Sequence, residues 1–361
     1  MSNLFLEVSE LLAVLAAMML LSIDASRLFR KNEVLPKHKY LPKTLVIIPC
    51  KGMDISLYQN LLALKSQSYK KYKIIAVVDS ESDKAILLIK KAGISYLISD
   101  TRGRRASGKV RAIASALTRF RDYEAYVIAD SDITVNRAWL VNIIAPLSDK
   151  SVGISTTYPH FQPIGGFWPK VKMVWNFVGE NLLEKESSRF AWGGTMAFRK
   201  DLMGQKEQLY FTNSKYSVSD DITLTKICKK KRLRIAYVKE AQPVVKTDDS
   251  FKQFIEWSNR QTALTLLGYR NNFKRGMFFY CSEIFVMISA SLLSIYASPI
   301  FLLLFAHLAV SWKRSYARAK CSDPAIALIV ILIPFIYAYN LISARMMKRI
   351  TWRGSVYSLY Q

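Results

Sequence analysis

Histidine and cysteine are scarce. The chain of 361 residues contains three histidines and four cysteines. The cysteines stand at positions 50, 228, 281 and 321, far apart and without a CxxC pair. This spacing argues against a disulfide framework and a thiolate zinc site, and three histidines argue against a histidine metal cluster. Acidic residues are also in the minority. There are 27 Asp and Glu against 52 Lys and Arg, a formal net charge of +25. Such an excess suits an anionic partner: nucleic acid, an acidic membrane leaflet or a phosphate-bearing substrate. Internal repeats and low-complexity tracts are absent.

Mean hydropathy is slightly positive despite the charge, so apolar residues must be concentrated somewhere. They collect at the two ends. Residues 4–23, LFLEVSELLAVLAAMMLLSI, are long enough for one membrane span, with Glu7 and Glu10 weakening its first turns. A cleaved signal peptide fits less well, because no basic stretch precedes the run and no A-x-A-like site follows it. RLFRK (27–31) follows instead, and the positive-inside tendency places the next segment in the cytoplasm. Residues 277–312 are almost continuously apolar. As one helix they would measure roughly 54 Å, beyond a hydrocarbon core of ~30 Å, so a helical hairpin broken near ASP (297–299) is expected. Residues 324–345 form a further span with Pro334 as a kink. The predicted organisation is an anchor over 1–26, a cytoplasmic domain over 36–250 and an amphipathic interfacial segment over 251–276. About three transmembrane helices over 277–345 and a basic tail over 346–361 follow. The basic stretches KRSYARAK (313–320) and RMMKR (345–349) cannot both be cytoplasmic if one span separates them.

Between these ends, β-branched runs alternate with helical patterns. TLVIIPC (44–50), YKIIAVVDS (72–80), SYLISD (95–100) and AYVIADSD (125–132) read as strands. SLYQNLLALKSQ (56–67), SDKAILLIKKAG (82–93) and GKVRAIASALTRF (108–120) read as helices. The alternation predicts an α/β fold with a mainly parallel, Rossmann-like sheet covered on both faces. Ligands of such sheets bind at the carboxyl ends of the strands, where Asp79, Asp100, Asp130 and Asp132 are expected. Further on, Ser219 reads as an N-cap with acids in the next turn, and 251–275 as an aromatic, basic amphipathic helix.

GRRASGKV (103–110) matches the spacing of a phosphate-binding P-loop between a strand and a helix. YVIAD (126–130) would then supply the supporting acid. Position 110 is Val, however, so the hydroxyl that binds magnesium in such loops is missing. Lys109, at a helix start beside the expected crevice, remains placed to contact a phosphate.

Seven stretches in order carry a resemblance: IPCKGMD (48–54), VVDSESDKA (77–85), ADSDI (129–133), GGTMAFRK (193–200), SDDITL (219–224), QFIEW (253–257) and ITWRGSVY (350–357). Over about residues 40 to 360 the chain resembles the processive-type and ceramide-glucosyltransferase-like inverting glycosyltransferases of the GT-A fold, families 2 and 21, anchored in the membrane at both ends. The resemblance implies transfer of a sugar from a nucleotide-sugar donor, a UDP-sugar by expectation, to a lipid hydroxyl, assisted by Mg²⁺ or Mn²⁺.

It also implies roles. Asp79 matches the aspartate that binds base or ribose, and Lys109 and Asp130 accompany it at the donor. Asp130 and Asp132, two apart in what reads as an extended segment, would point to the same side and share one hard cation, with Asp132 the first choice as ligand. A leaving diphosphate gains charge that such a cation neutralises. Asp221 matches the general base that takes the acceptor's proton, with Asp220 beside it. Gly193 and Gly194 match the acceptor-binding loop. Gln253 and Trp257 match the Gln/Arg-x-x-Arg-Trp motif. Its arginine position is Glu256 here, a carboxylate that would repel a diphosphate, and Arg260, one helical turn on, is placed to substitute. If the tail is cytoplasmic, Trp352 and Arg353 are expected near the active site. A polysaccharide synthase of the same fold, a membrane-associated P-loop triphosphatase and a non-enzymatic basic membrane protein are the competing readings. Nucleic acid is not an expected partner, and oligomeric state is not legible.

Overall fold

The structure, a computed structural model, describes residues 2–28, 30, 36, 40–100, 106–204, 217–268, 271–352 and 355–359. After helix α1 (Ser2–Leu28) the chain alternates through β1 (Thr44–Pro49), α2 (Leu57–Lys65), β2 (Tyr72–Val78), α3 (Ala85–Lys91), β3 (Ser95–Ile98), α4 (Gly108–Arg119) and β4 (Ala125–Ala129). The second half runs β5 (Ile133–Thr134), α5 (Trp139–Ile144), β6 (Val152–Thr156), β7 (His160–Pro163), α6 (Trp168–Glu184), β8 (Thr195–Arg199), α7 (Asp220–Lys230), β9 (Arg234–Tyr237) and β10 (Val244–Thr247). The apolar end comprises α8 (Phe251–Gly268), α9 (Asn272–Tyr296), α10 (Ala306–Ala319) and α11 (Ala325–Met346), followed by β11 (Arg349–Trp352) and β12 (Ser355–Ser358).

The main sheet has seven strands in the order β3-β2-β1-β4-β8-β6-β9. β3, β2, β1 and β4 are parallel, and β8 runs antiparallel between β4 and β6. Alternate side chains of a strand point to opposite faces. Val46, Ile48 and Val127 accordingly join one core cluster and Leu45, Ile47, Tyr126 and Ile128 the other. Both faces are covered, as the continuous apolar runs require. The register pairs Pro49 with Val77 and Ile47 with Ile128. The carboxyl ends of β1, β2 and β4 therefore lie side by side. A smaller sheet, β5-β10-β7, sits beside this edge.

Among the described residues, three helices are long and apolar enough to cross a membrane: Glu7–Leu28, Asn272–Tyr296 and Ala325–Met346. The expected break near 297–299 is present, since α9 ends at Tyr296 and Pro299 opens a short 3₁₀ segment, Pro299–Phe305. The returning arm differs from the expected span. It consists of that segment and α10, 14 residues whose basic end turns to the α/β domain. Arg314 and Arg318 bond Asn181 Oδ1 and Glu184 Oε1 of α6, each at 2.6 Å.

Both ends of α11 contact the α/β domain and α8, the helix that follows it. Asp323, just before it, pairs with Lys170 of α6 at 2.5 Å. Past its end, Ile350 and Leu359 of the tail pack against Ala263 of α8 and Ala344 of α11 itself. Residues on either side of α11 thus both contact the α/β domain. In its middle, fully buried Asn340 accepts from Trp175 Nε1 (3.0 Å) and donates to Asn259 Oδ1 (2.7 Å) and Ser258 Oγ (3.1 Å). Tyr337 stacks between Trp175 and Tyr280, with ring centroids 4.8 and 4.7 Å away. A buried polar group is tolerated only with its partners in place.

Asn340→Ala strips all three partners at once. The expected loss is about 2–4 kcal/mol of stability, checked by thermal unfolding of the detergent-solubilised protein. A melting point equal to that of the wild type would refute this account of how α11 is held.

Candidate active site

Lys51, Asp79 and Asp130 follow the aligned ends of β1, β2 and β4 and line one cleft of about 1140 Å³. Lys51 Nζ lies 3.4 Å from Asp79 Oδ2. Asp79 directly follows β2, the position expected of it. Asp100 does not join this group: it is exposed, two residues beyond β3, and outside the cleft lining.

Asp130 and Asp132 both line the cleft, but not by strand alternation. β4 ends at Ala129, and the two acids flank a turn at Ser131. That turn is pinned from α2. Buried Asn60 donates to Ser131 O (3.1 Å) and accepts from Thr134 Oγ1 (2.6 Å), and the Ser131 hydroxyl donates to Asp54. Sequence reasoning missed Asn60, although a polar residue inside an apolar helical face was its visible signal.

Lys109 is the second residue of α4, whose N-cap Ser107 accepts from Val110 N. Its ammonium is turned inward. It lies 2.6 Å from Asp130 Oδ1 and 3.7 Å from Asp220 Oδ1, and donates to Gly193 O at 3.0 Å. Burial opposes its charge, but the carboxylates of Asp130 and Asp220 outweigh burial and hold its proton above the usual lysine range. The P-loop expectation fails here in physical terms, because its lysine is already committed to two carboxylates and a carbonyl. Residues 103–105 of that match lie outside the described residues.

Gly193 and Gly194 are required by crowding. A Cβ on Gly193 would lie 3.1 Å from Lys109 Nζ and 3.2 Å from Asp220 Oδ2, and one on Gly194 would fall on the Trp192 ring. Gly194 O accepts from Asp130 N at 3.0 Å.

Asp220 and Asp221 open α7 after the N-cap Ser219. Asp220 is 4% exposed, and its Oδ2 has no hydrogen-bond partner among the described residues. Burial pushes its carboxyl up to about 7, Lys109 opposes this, and Asp221 and Asp130 add to it. Asp221 is oriented by three donors: the Ser219 hydroxyl, Ile222 N (2.7 Å) and Gly193 N (3.3 Å). It too lines the cleft.

Gln253, Trp257 and Arg260 line the cleft along one face of α8. Gln253 Oε1 accepts from Ser250 N (2.8 Å) while Ser250 Oγ accepts from Gln253 N (3.4 Å). This reciprocal capping box occupies part of its bonding capacity. Glu256 is exposed and does not line the cleft, although at i+3 from Gln253 and i−4 from Arg260 it borders the same face of α8. Trp257 packs edge-on to Phe161 and Trp175, with Lys172 Nζ 4.7 Å above its ring. Lys172, another residue missed in the sequence, is held by Asp249 at 2.9 Å. Burial lowers its pKa, which Asp249 and, more weakly, Asp132 oppose.

The cleft does not stop at these polar groups. Phe279 of α9 and Val330, Ile333, Tyr337 and Leu341 of α11 line its other end. Among the described residues no three His, Cys, Asp or Glu side chains cluster as a complete metal site. Asp130 and Asp132 offer two carboxylates, a donor set that fits a hard cation completing its shell with ligand or water oxygens.

The raised Asp220 pKa has a definite sign. Between 3.8 and about 7 the folded carboxyl keeps a proton that the unfolded chain releases, so this contribution to stability is present at low pH and lost as pH rises through the window. In EDTA, wild-type thermal stability should fall across that window more steeply than that of Asp220→Asn. Parallel curves would show that Asp220 does not titrate there.

The chain is similar to solved structures. The mannosyltransferase PcManGT from Pyrobaculum calidifontis, in complex with GDP-Man and Mn²⁺, superposes with a TM-score of 0.56 at 16% identity, covering 94% of this chain and 97% of that one. Glucosyl-3-phosphoglycerate synthase from Mycobacterium tuberculosis, in complex with Mn²⁺, UDP and glucosyl-3-phosphoglycerate, gives a TM-score of 0.41 at 11% identity over 68% of this chain and 82% of that one. The first likeness shows the GT-A fold that the resemblance implied. The model of glycosyl transferase family 21 matches residues 8–361. The chain belongs to that family and is a glycosyltransferase.

Proposed function

We propose that the enzyme transfers a sugar, with inversion, from a nucleotide-sugar donor to the hydroxyl of a lipid held at the membrane face. The observation that carries this reading is the two-ended cleft. Carboxylates and lysines gather at the strand ends, and apolar side chains of α9 and α11 line the other end. A hydrophilic donor and an amphipathic acceptor need such a site.

In this reading Asp79, with Lys51, binds the nucleoside of the donor. Asp130 and Asp132 would hold Mg²⁺ or Mn²⁺, and the Mn²⁺ in the complex of PcManGT supports a divalent cation. When bound, that cation offsets the charge growing on the leaving diphosphate. Lys109 keeps Asp130 in place from behind. Arg260 and Lys172 put positive charge at the opposite wall, where Trp257 and Gln253 line the path of the acceptor. Asp221 takes the acceptor's proton as its oxygen attacks the anomeric carbon from the side away from the diphosphate. Asp220, buried against Lys109, is not the base and fixes the Gly193 corner.

Placement in the membrane follows from charge. Arg27 and Arg30 at the end of α1 and Arg314 and Arg318 of α10 gather at the same face of the domain, with Arg30 donating to Asn181 O at 2.6 Å. Basic residues flanking apolar helices favour the cytoplasmic side, so the catalytic domain is assigned to the cytoplasm.

Membranes given labelled nucleotide sugars with Mn²⁺ or Mg²⁺ should place the label in the lipid extract. Asp221→Asn and Asp132→Asn should each lower that transfer by about 10²–10⁴-fold. Full transfer by Asp221→Asn would sink the base assignment, and label found only in water-soluble product would sink the lipid acceptor.

A further inference from the structure

After α11 the chain turns back as the hairpin β11–β12, which pairs Ile350 with Tyr357 and Thr351 with Val356. Paired residues share a face and neighbours along a strand alternate. Exposure follows this rule, with Ile350 at 1% and Val356 at 62%. Ile350 and Leu359 are buried with Ala263 and Ala344, with Val218 at the edge of the group. The Arg260 guanidinium donates to Thr351 O at 3.4 Å. The tail is therefore a folded element with an inner face, clamped to α8 and α11. Arg353 lies outside the described residues.

Tyr357 stands on that inner face and lines the cleft. Its hydroxyl accepts from the amide of Gly108, the first residue of α4, at 3.4 Å. Asp79 is adjacent: a Cβ on Gly108 would lie 3.3 Å from Asp79 Oδ2. The phenol thus meets the cleft where α4 begins and β2 ends. The cap of α4 is tied in turn to the loop that carries the base, since Ser107 N donates to Ser217 O at 3.0 Å. One hairpin touches the donor end, the base loop, α8 and the last apolar helix.

We infer that the C-terminal hairpin is a strap across the donor end of the cleft, and that Tyr357 is a positioning residue for the nucleoside diphosphate of the donor. The inference rests on the proposed assignment of the Asp79–Asp130 end to the donor. The ring and hydroxyl of Tyr357 form one wall of that end, and buried Ile350 and Leu359 set where the wall stands. A tail that merely fastens α8 to α11 would leave nucleotide binding untouched when only the phenol is removed.

The test uses the full-length protein in detergent. UDP and GDP, each with Mn²⁺, are titrated by calorimetry into wild type, Tyr357→Phe and Tyr357→Ala, and the donor KM is measured for each. Tyr357→Ala should weaken the nucleotide that wild type binds by about tenfold and raise donor KM to match, and Tyr357→Phe should cost about threefold in both. The loss should fall on KM rather than kcat. If Tyr357→Ala does not fold, the hydroxyl loss in Tyr357→Phe decides the matter. Wild-type affinity in the folded variants, even with a lowered melting point, overturns the strap alone. A wild-type protein that binds neither nucleotide overturns the donor-site assignment and the strap with it.

Discussion

The site depends on one buried ammonium. Lys109 lies within ion-pairing distance of Asp130 and Asp220 and bonds the carbonyl of Gly193. Without it, the end of β4 and the start of α7 would bring carboxylates together in a poorly solvated pocket, a costly arrangement. With it, the proposed metal carboxylate and the proposed base occupy fixed positions relative to each other. The Gly193 carbonyl receives Lys109 while its amide donates to Asp221. One residue, Gly193, therefore links the position of Lys109 to that of the proposed base.

This also explains why the stretch around Lys109 reads as a P-loop. A lysine at a helix start, after a strand and a glycine, is a good anion site by local rules. The neighbours that decide its role, Asp130, Asp220 and Gly193, come from elsewhere in the chain. The same limit marks the other departures. Parallel strands and their terminal acids were legible because period and turn chemistry are local, so Asp79, Asp130, Asp132 and Asp221 all reach the cleft. The Asp130–Asp132 geometry was right in outcome but wrong in cause, since a turn held by Asn60 presents both acids. Gln253 was read as a ligand group, yet its first partner is Ser250, three residues before it. That capping box was readable from Ser250 and Gln253. Glu256, at the motif's arginine position, is exposed and does not line the cleft. The returning arm after Pro299 was overcounted as a span because apolar composition does not reveal that the chain there forms a 3₁₀ segment and a short amphipathic helix.

The apolar helices are part of the active site's construction. Trp175 of α6 joins both regions: its indole N–H is bonded to Asn340 of α11 and its ring packs on Trp257 of α8. The wall of the cleft that carries Trp257 therefore takes its position from a helix long and apolar enough for a membrane. The exposed residues of α11, Leu328, Phe335, Tyr339, Ile342 and Met346, recur at helical spacing on its outer side. The inner side supplies the cleft, so the helix is shared between lipid and site.

The positive charge of the chain completes this geometry through α6. Arg30, Arg314 and Arg318 bond its C-terminal half, around Asn181 and Glu184. Lys172, nine to twelve residues earlier on the same helix, faces Trp257 within the cleft. At ~1.5 Å per residue that separation is about 13–18 Å, close to half a bilayer's hydrocarbon thickness of ~30 Å. A helix pinned by partly buried ion pairs at one end and lining the cleft at the other fixes the distance between the basic cluster and the Trp257 wall.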